Sequence, residues 1–169
     1  IWKVPLIQQH LKRLQYGDIL VYLDGGDKVD KKGTDRFWWY VEQMQRTNTS
    51  ILAFQMDHFK EFKWTCDAMF KYFKISPNTS LWDKVAETGQ YMASVLIMRK
   101  TAQLESIMAM WNQTLYDDPY LFTDHYNNAT KANRRNFDDN RHDQSVFSIV
   151  RKLFPNDTFV IPDETDRPK

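Results

Sequence analysis

The stretch from Leu20 to Asp30, LVYLDGGDKVD, places the carboxylates of Asp24 and Asp27 on either side of Gly25 and Gly26. Two hard oxygen donors this close together suit Mg²⁺ or Mn²⁺, ions that typically keep open positions for substrate phosphates. Glycine admits positive φ and lets a ligand approach the backbone, which makes Gly25 and Gly26 candidate binding residues beside the two acids. The same residue types also build an ordinary solvated turn, and Asp30-Lys31-Lys32-Gly33 just beyond reads as one. From these residues alone, the metal site and the turn both stand.

A second cluster is Arg141-His142-Asp143-Gln144. Asn140 as N-cap followed by Asp143 reads as a variant capping box, and an acid there also suits the positive end of a helix. That reading accounts for Asp143 and leaves His142 and Gln144 unexplained. His142 is a metal ligand by type. Lys63, Trp64 and Thr65 set a cation, an aromatic face and a hydroxyl side by side. His58, Asp124 and His125 lie in loops and carry no assigned role.

Hydrophobic patterning supplies the elements that must position these groups. Leu6, Ile7, Leu11 and Leu14 recur at helical spacing over residues 4–14, with Pro5 in the first turn. Ile19 to Leu23 is a continuous apolar run, the pattern of a strand covered on both faces, and Asp24 stands at its carboxyl end. Thr34 is placed to cap a helix carrying Phe37, Trp38, Val41 and Met44, and Thr65 to cap another over residues 66–73. Strands are expected at 51–55 and 90–98, with Phe159–Ile161 as a short last one. A helix over 101–116 presents Leu104, Ile107, Met108, Trp111 and Leu115 on one face. Trp38, Trp39 and Trp111 read as core or interface. Residues 117–141 are polar and aperiodic, hence a long loop of the kind that often binds ligands. The helix that follows turns Val146, Ile149, Val150, Leu153 and Phe154 inward. Strands alternating with helices predict an α/β domain over residues 1–161 with a mainly parallel central sheet flanked by helices, and a polar tail over 162–169.

Composition narrows the function classes. At 169 residues, 42% apolar and 15% aromatic, the chain can bury a substantial core, and its net charge of +1 lacks the basic footprint of a nucleic-acid binder. No apolar run approaches the ~20 residues of a membrane span. The first residue is not Met, so a trimmed segment of a longer chain is expected. Cys66 is the single cysteine and leaves the redox compartment undecided. Five N-x-[ST] triplets, at Asn48, Asn78, Asn112, Asn128 and Asn156, exceed what the modest serine and threonine content gives by chance. They favour the secretory pathway or Golgi lumen, although Asn112 falls in a helical pattern.

The block GDILVYLDGGD resembles the strand and acidic motif of glycosyltransferases with the nucleotide-sugar GT-A fold. The order of IWKVPLI, GDILVYLDGGD, ILAFQ with KWT, QYMASVLIMRK and RHDQSVFSIV is similar to a family of poorly characterised bacterial, viral and eukaryotic sugar transferases. Together these blocks run from residue 1 to about 154. The resemblance implies a Rossmann-like GT-A sheet whose base-binding N-terminal strands precede Ile1. It also implies transfer of a sugar from a nucleotide-diphosphate donor to a glycan or other hydroxyl acceptor, with Mn²⁺ or Mg²⁺ held by Asp24 and Asp27. Lys3 would lie near the nucleotide, Gln90 and Ala93 would line the sugar pocket with His142 and Gln144, and Lys63 and Trp64 would form a platform for the acceptor, since sugar faces stack on aromatic rings. Asp143 would contact the sugar or the acceptor hydroxyl, as general base in an inverting mechanism. The chain departs from the usual Asp-x-Asp pattern, because Gly26 fills the second acidic position and Asp27 comes one residue later. Two other classes are open. One is a transferase-like binding domain without activity; the other is an Asp-dependent phosphohydrolase, which Gly26 and Lys28 fit poorly.

Overall fold

A computed structural model describes residues 2–127 and 133–164. Its centre is a five-stranded mixed sheet with helices on both faces. The strands are β1 (Ile19–Leu23), β2 (Ile51–Lys60), β3 (Gly89–Tyr91), β4 (Val95–Arg99) and β5 (Thr158–Pro162). The helices are α1 (Lys3–Leu11), α2 (Thr34–Arg46), α3 (Asp67–Tyr72), α4 (Ser80–Val85), α5 (Ala102–Asp117) and α6 (Asp143–Leu153).

The sheet is not mainly parallel. β4 runs antiparallel to both β1 and β2, β3 runs antiparallel to β2, and only β2 with β5 is parallel. β1 and β2 do point the same way, and α2 supplies the long connection that such a pair needs. The return from β2, however, drops β4 between them. Periodicity identifies strands without identifying neighbours, so an inserted antiparallel strand leaves no mark on the pattern.

Alternation along the central strands explains why both faces are covered. Ile51, Leu96 and Met98 face a large core built with Val4, Ile7 and Leu11 of α1, Leu104, Ile107 and Trp111 of α5, and Val146, Phe147 and Val150 of α6. Leu52, Phe54 and Ile97 point the other way, into a smaller core with Tyr40 and Met44 of α2 and Ile161 of β5. Trp111 stacks on Phe147 with ring centroids 3.8 Å apart and tightens the α5–α6 seam.

Several local expectations change. α1 ends at Leu11, three residues early, and β2 continues to Lys60. Cys66 rather than Thr65 caps α3, because the Thr65 hydroxyl is drawn inward to donate to Glu61 Oε1 at 2.7 Å. Gly33 rather than Thr34 is the N-cap of α2. Trp38 is exposed, as the buried stripe of α2 runs through Tyr40, Val41, Gln43 and Met44 instead. α4 is an additional short helix after the Pro77-Asn78 turn, and the long polar loop holds a short 3₁₀ turn at Pro119–Phe122. The tail does not simply trail away: Pro162 closes β5, and Arg36 donates to Glu164 through Nε at 2.7 Å. Residues 165–169 and Asn128 lie outside the described residues. Asn48, Asn78 and Asn156 are exposed, whereas Asn112 sits half-buried within α5.

Candidate functional site

The expected strand over 90–98 is interrupted. β3 stops at Tyr91 and β4 begins at Val95, and the carbonyls released between them are taken by two cations. Arg151 Nη2 of α6 donates to the carbonyls of Tyr91 and Met92, each at 2.8 Å. Lys3 Nζ of α1 donates to the Ala93 carbonyl at 3.1 Å. Arg151 is fully buried, and that burial pulls its guanidinium down to about 9, which leaves it charged at neutral pH.

Beside this interruption β1 ends. Asp24 extends the ladder by one bond, its N–H donating to the Ser94 carbonyl at 2.9 Å, and the chain then turns away. The turn is closed by the Asp27 N–H on the Asp24 carbonyl at 3.0 Å. Asp24 N–H also approaches Asp27 Oδ2 at 3.1 Å. DGGD is therefore a true β-turn. Neither Gly25 nor Gly26 takes positive φ, and a Cβ built on either meets nothing within 4 Å, so the expected use of their conformational freedom is not made.

At the cleft floor, Lys3 Nζ lies 3.2 Å from Asp24 Oδ1 and 2.8 Å from Asp143 Oδ2. An ammonium in the first turn of a helix opposes the helix dipole, so Lys3 depends on these two carboxylates for its place. Tyr22, two residues before Asp24 in the same apolar run, donates its hydroxyl to Asp24 Oδ1 at 2.6 Å, and Lys3 Nζ sits 5.1 Å from its ring centroid. Burial, then the Asp24 hydrogen bond and the nearby carboxylates, push the Tyr22 phenol far above its ordinary range.

α6 supplies the opposite wall. Its N-cap is His142, not Asn140, and Asp143 is the first helical residue. Asn140 is buried instead, with Nδ2 donating to the Leu121 carbonyl at 3.1 Å. The capping-box expectation thus fails because Asn140 is spent on the loop, while the favourable placement of Asp143 at the helix's positive end holds. His142 adopts φ 51° and ψ −124°, a region that side chains other than hydrogen rarely tolerate. Its Nε2 is 2.6 Å from Asp124 Oδ1, which ties Asp124 of the polar loop to the start of α6.

The resulting cleft, about 320 Å³, is lined by Lys3, Asp24, Ala93, Asp143 and Gln144 together with Ser94, Asp139, Asn140, Arg141 and His142. Of the residues expected at the site, Lys3, Asp24, Ala93, His142, Asp143 and Gln144 are brought together. Asp27 and Gly26 line a different depression, on the α2 side of the β1 end. Gln90 is fully buried and touches the cleft only through Gln144, whose Nε2 donates to Gln90 Oε1 at 2.9 Å. Lys63 and Trp64 do not line it either. The Trp64 ring lies 4.8 Å from the Arg141 guanidinium, which also lies over Phe59 and itself borders the cleft. Arg141 stands in the RHDQ cluster and Tyr22 in the apolar run before Asp24, but neither residue's type or spacing assigned it a role of its own.

Among the described residues, no group of three or more histidine, cysteine, aspartate or glutamate side chains is arranged to hold a metal ion. Asp24 keeps 43% of its side chain exposed, while its Oδ1 is already met by Lys3 Nζ and the Tyr22 hydroxyl. No protein-family model matches the chain, and no curated protein or solved structure matches it.

Proposed function

We propose that the chain is a glycosyltransferase that moves a hexosyl or pentosyl group from a nucleotide-diphosphate sugar to a hydroxyl of a glycan acceptor, at the cleft between β1 and α6. The observation that carries this reading is the convergence of Lys3, Asp24, Asp143 and Gln144, distant in sequence, on one open polar cleft at a strand's carboxyl end.

The chemistry asks for three things. Charge grows on the leaving diphosphate as the glycosyl bond breaks, so positive charge must be held there. Mg²⁺ or Mn²⁺ on Asp24 would supply Lewis-acid stabilisation of that charge. Lys3 adds a fixed ammonium and holds the carboxylates of Asp24 and Asp143 at a set separation. Arg141, at the rim and braced on Phe59, is placed for a phosphate oxygen. The sugar then lies toward Ala93, Ser94 and Gln144, where the small side chains leave room. Asp143 faces the reacting hydroxyl and accepts its proton. The exposed triplets at Asn48, Asn78 and Asn156 agree with work in the secretory pathway or Golgi lumen.

A second reading, a sugar-nucleotide-binding domain without turnover, draws on the engagement of Asp27 with the Asp24 backbone, which withholds the second acid. Calorimetric titration with a panel of nucleotide sugars, with and without Mn²⁺, tests the first reading. Binding that Asp24→Asn weakens at least tenfold, roughly 1.4 kcal/mol, is expected. Binding by no donor, or binding indifferent to both metal and mutation, overturns it. Metal-dependent binding with no transfer to any glycan moves the case to the second reading.

A further inference from the structure

Behind the cleft wall lies a buried polar cluster that no step above uses. Glu61 is fully buried, with Oε2 2.7 Å from Lys152 Nζ and 2.5 Å from Ser148 Oγ. Its Oε1 accepts from Thr65 Oγ1 at 2.7 Å and faces Gln90 Nε2 at 2.9 Å. Gln90 Nε2 is also 3.0 Å from the Trp64 carbonyl. Carboxylate and carbonyl oxygens beside it can only accept, so the end of the Gln90 amide that meets them is the N–H₂. Its carbonyl Oε1 is thereby committed to the other side, where it accepts from Gln144 Nε2 at 2.9 Å.

The direction of each bond dictates the next. Gln144 must turn its own N–H₂ inward to satisfy Gln90 Oε1, and its carbonyl Oε1 is what remains for the cleft that Gln144 lines. We propose that Glu61 and Gln90 are positioning residues that fix the amide of Gln144 with its oxygen outward, so that this subsite selects a ligand hydroxyl as hydrogen-bond donor. The proposal rests on the sugar-transfer reading, in which that hydroxyl belongs to the transferred sugar. Gln144 is half-buried, and a sugar seated over its oxygen without donating to it would leave that acceptor covered and unpaired, which costs more than a good contact rewards.

The experiment compares binding of UDP- and GDP-hexoses with their deoxy and deoxyfluoro analogues at each ring position in turn. Fluorine cannot donate. At one position the wild type should lose about tenfold or more with both analogues alike. Gln144→Met should reduce that ratio to within about threefold. Gln144→Glu offers the ligand only acceptor oxygens but has no N–H for Gln90 Oε1, so it should bind more weakly overall and still keep the preference for hydroxyl over fluorine. Gln90→Leu, if folded, should lower the ratio without abolishing binding; a misfolded variant leaves the two Gln144 variants to decide. Discrimination that survives Gln144→Met, or that Gln144→Glu reverses, overturns the proposal while leaving the transferase reading in place. Failure of the wild type to bind any of these donors or nucleoside diphosphates overturns both together.

Discussion

Two polar clusters sit back to back on α6, and they are built on opposite rules. The Glu61–Lys152 cluster is closed: both side chains are essentially inaccessible, and the hydroxyls of Thr65 and Ser148 with the amide of Gln90 fill the carboxylate's remaining acceptor positions. The Lys3–Asp24–Asp143 cluster is open: Lys3 is nearly buried, but its two carboxylates keep 43% and 25% of their surfaces exposed. A satisfied cluster holds structure, while one with spare valence facing a cavity has capacity left for a ligand. Similar residue types thus serve different ends, and the difference is set by where the chain leaves room.

That contrast can be broken most forcefully from the closed side. Glu61→Ala leaves the Lys152 ammonium buried without its carboxylate, and a loss of about 3–5 kcal/mol is expected in urea unfolding. Replacing both partners, Glu61→Leu with Lys152→Met, should recover much of that loss, since the isolated charge is gone. If the single variant unfolds like the wild type, the cluster is not the structural member of the pair.

From the open side the expectation inverts. Asp24→Asn should cost no more than about 1 kcal/mol in stability, because the pair is partly solvated. Its effect belongs in ligand binding. A large stability loss with no change in binding would erase the distinction between the clusters.

Of these two regions, the open one was the more legible in sequence. Asp24 follows an unbroken apolar run, and the Asp143-Gln144 pair opens a strongly patterned helix, so their positions at element ends could be read directly. Glu61 was not legible, because a lone acid in an aromatic-basic loop gives no sign that Lys152, ninety-one residues on, will meet it. The same holds for the interrupted strand: Tyr91 to Val95 reads as continuous, and only tertiary contacts from Arg151 and Lys3 reveal where the carbonyls leave the ladder. The mixed sheet, too, follows from neighbour choice rather than from local pattern.

A smaller effect sharpens the comparison spectroscopically. Tyr22, at the open cluster, and Tyr91, beside the closed one, are both pushed up by burial, Tyr91 to about 12. A phenol raised in the folded state contributes stability that is full below its ordinary pKa near 10 and is lost as pH climbs through the raised value. Ultraviolet titration of the folded protein should therefore show tyrosines ionising well above pH 10, and Tyr22→Phe should remove one of the late group. If Tyr22 ionises with the exposed tyrosines, its bond to Asp24 does not persist in solution.

The smallest expected change lies at the turn. Gly25→Ala and Gly26→Ala place a methyl in open space on a backbone that needs no positive φ, so each should leave stability within about 1 kcal/mol of wild type, tending upward. A fall in donor binding with unchanged melting would show that the glycines serve the ligand and not the fold.

The backbone of His142 carries a last consequence, one for anyone who would engineer the chain. Glycine at that position would relax a conformation that costs a side-chain-bearing residue on the order of 1–3 kcal/mol. It is therefore an obvious substitution for raising thermal tolerance, and it would also strip the imidazole from the mouth of the cleft and release its hold on Asp124. Durability and the shape of the cleft pull against each other at this one residue.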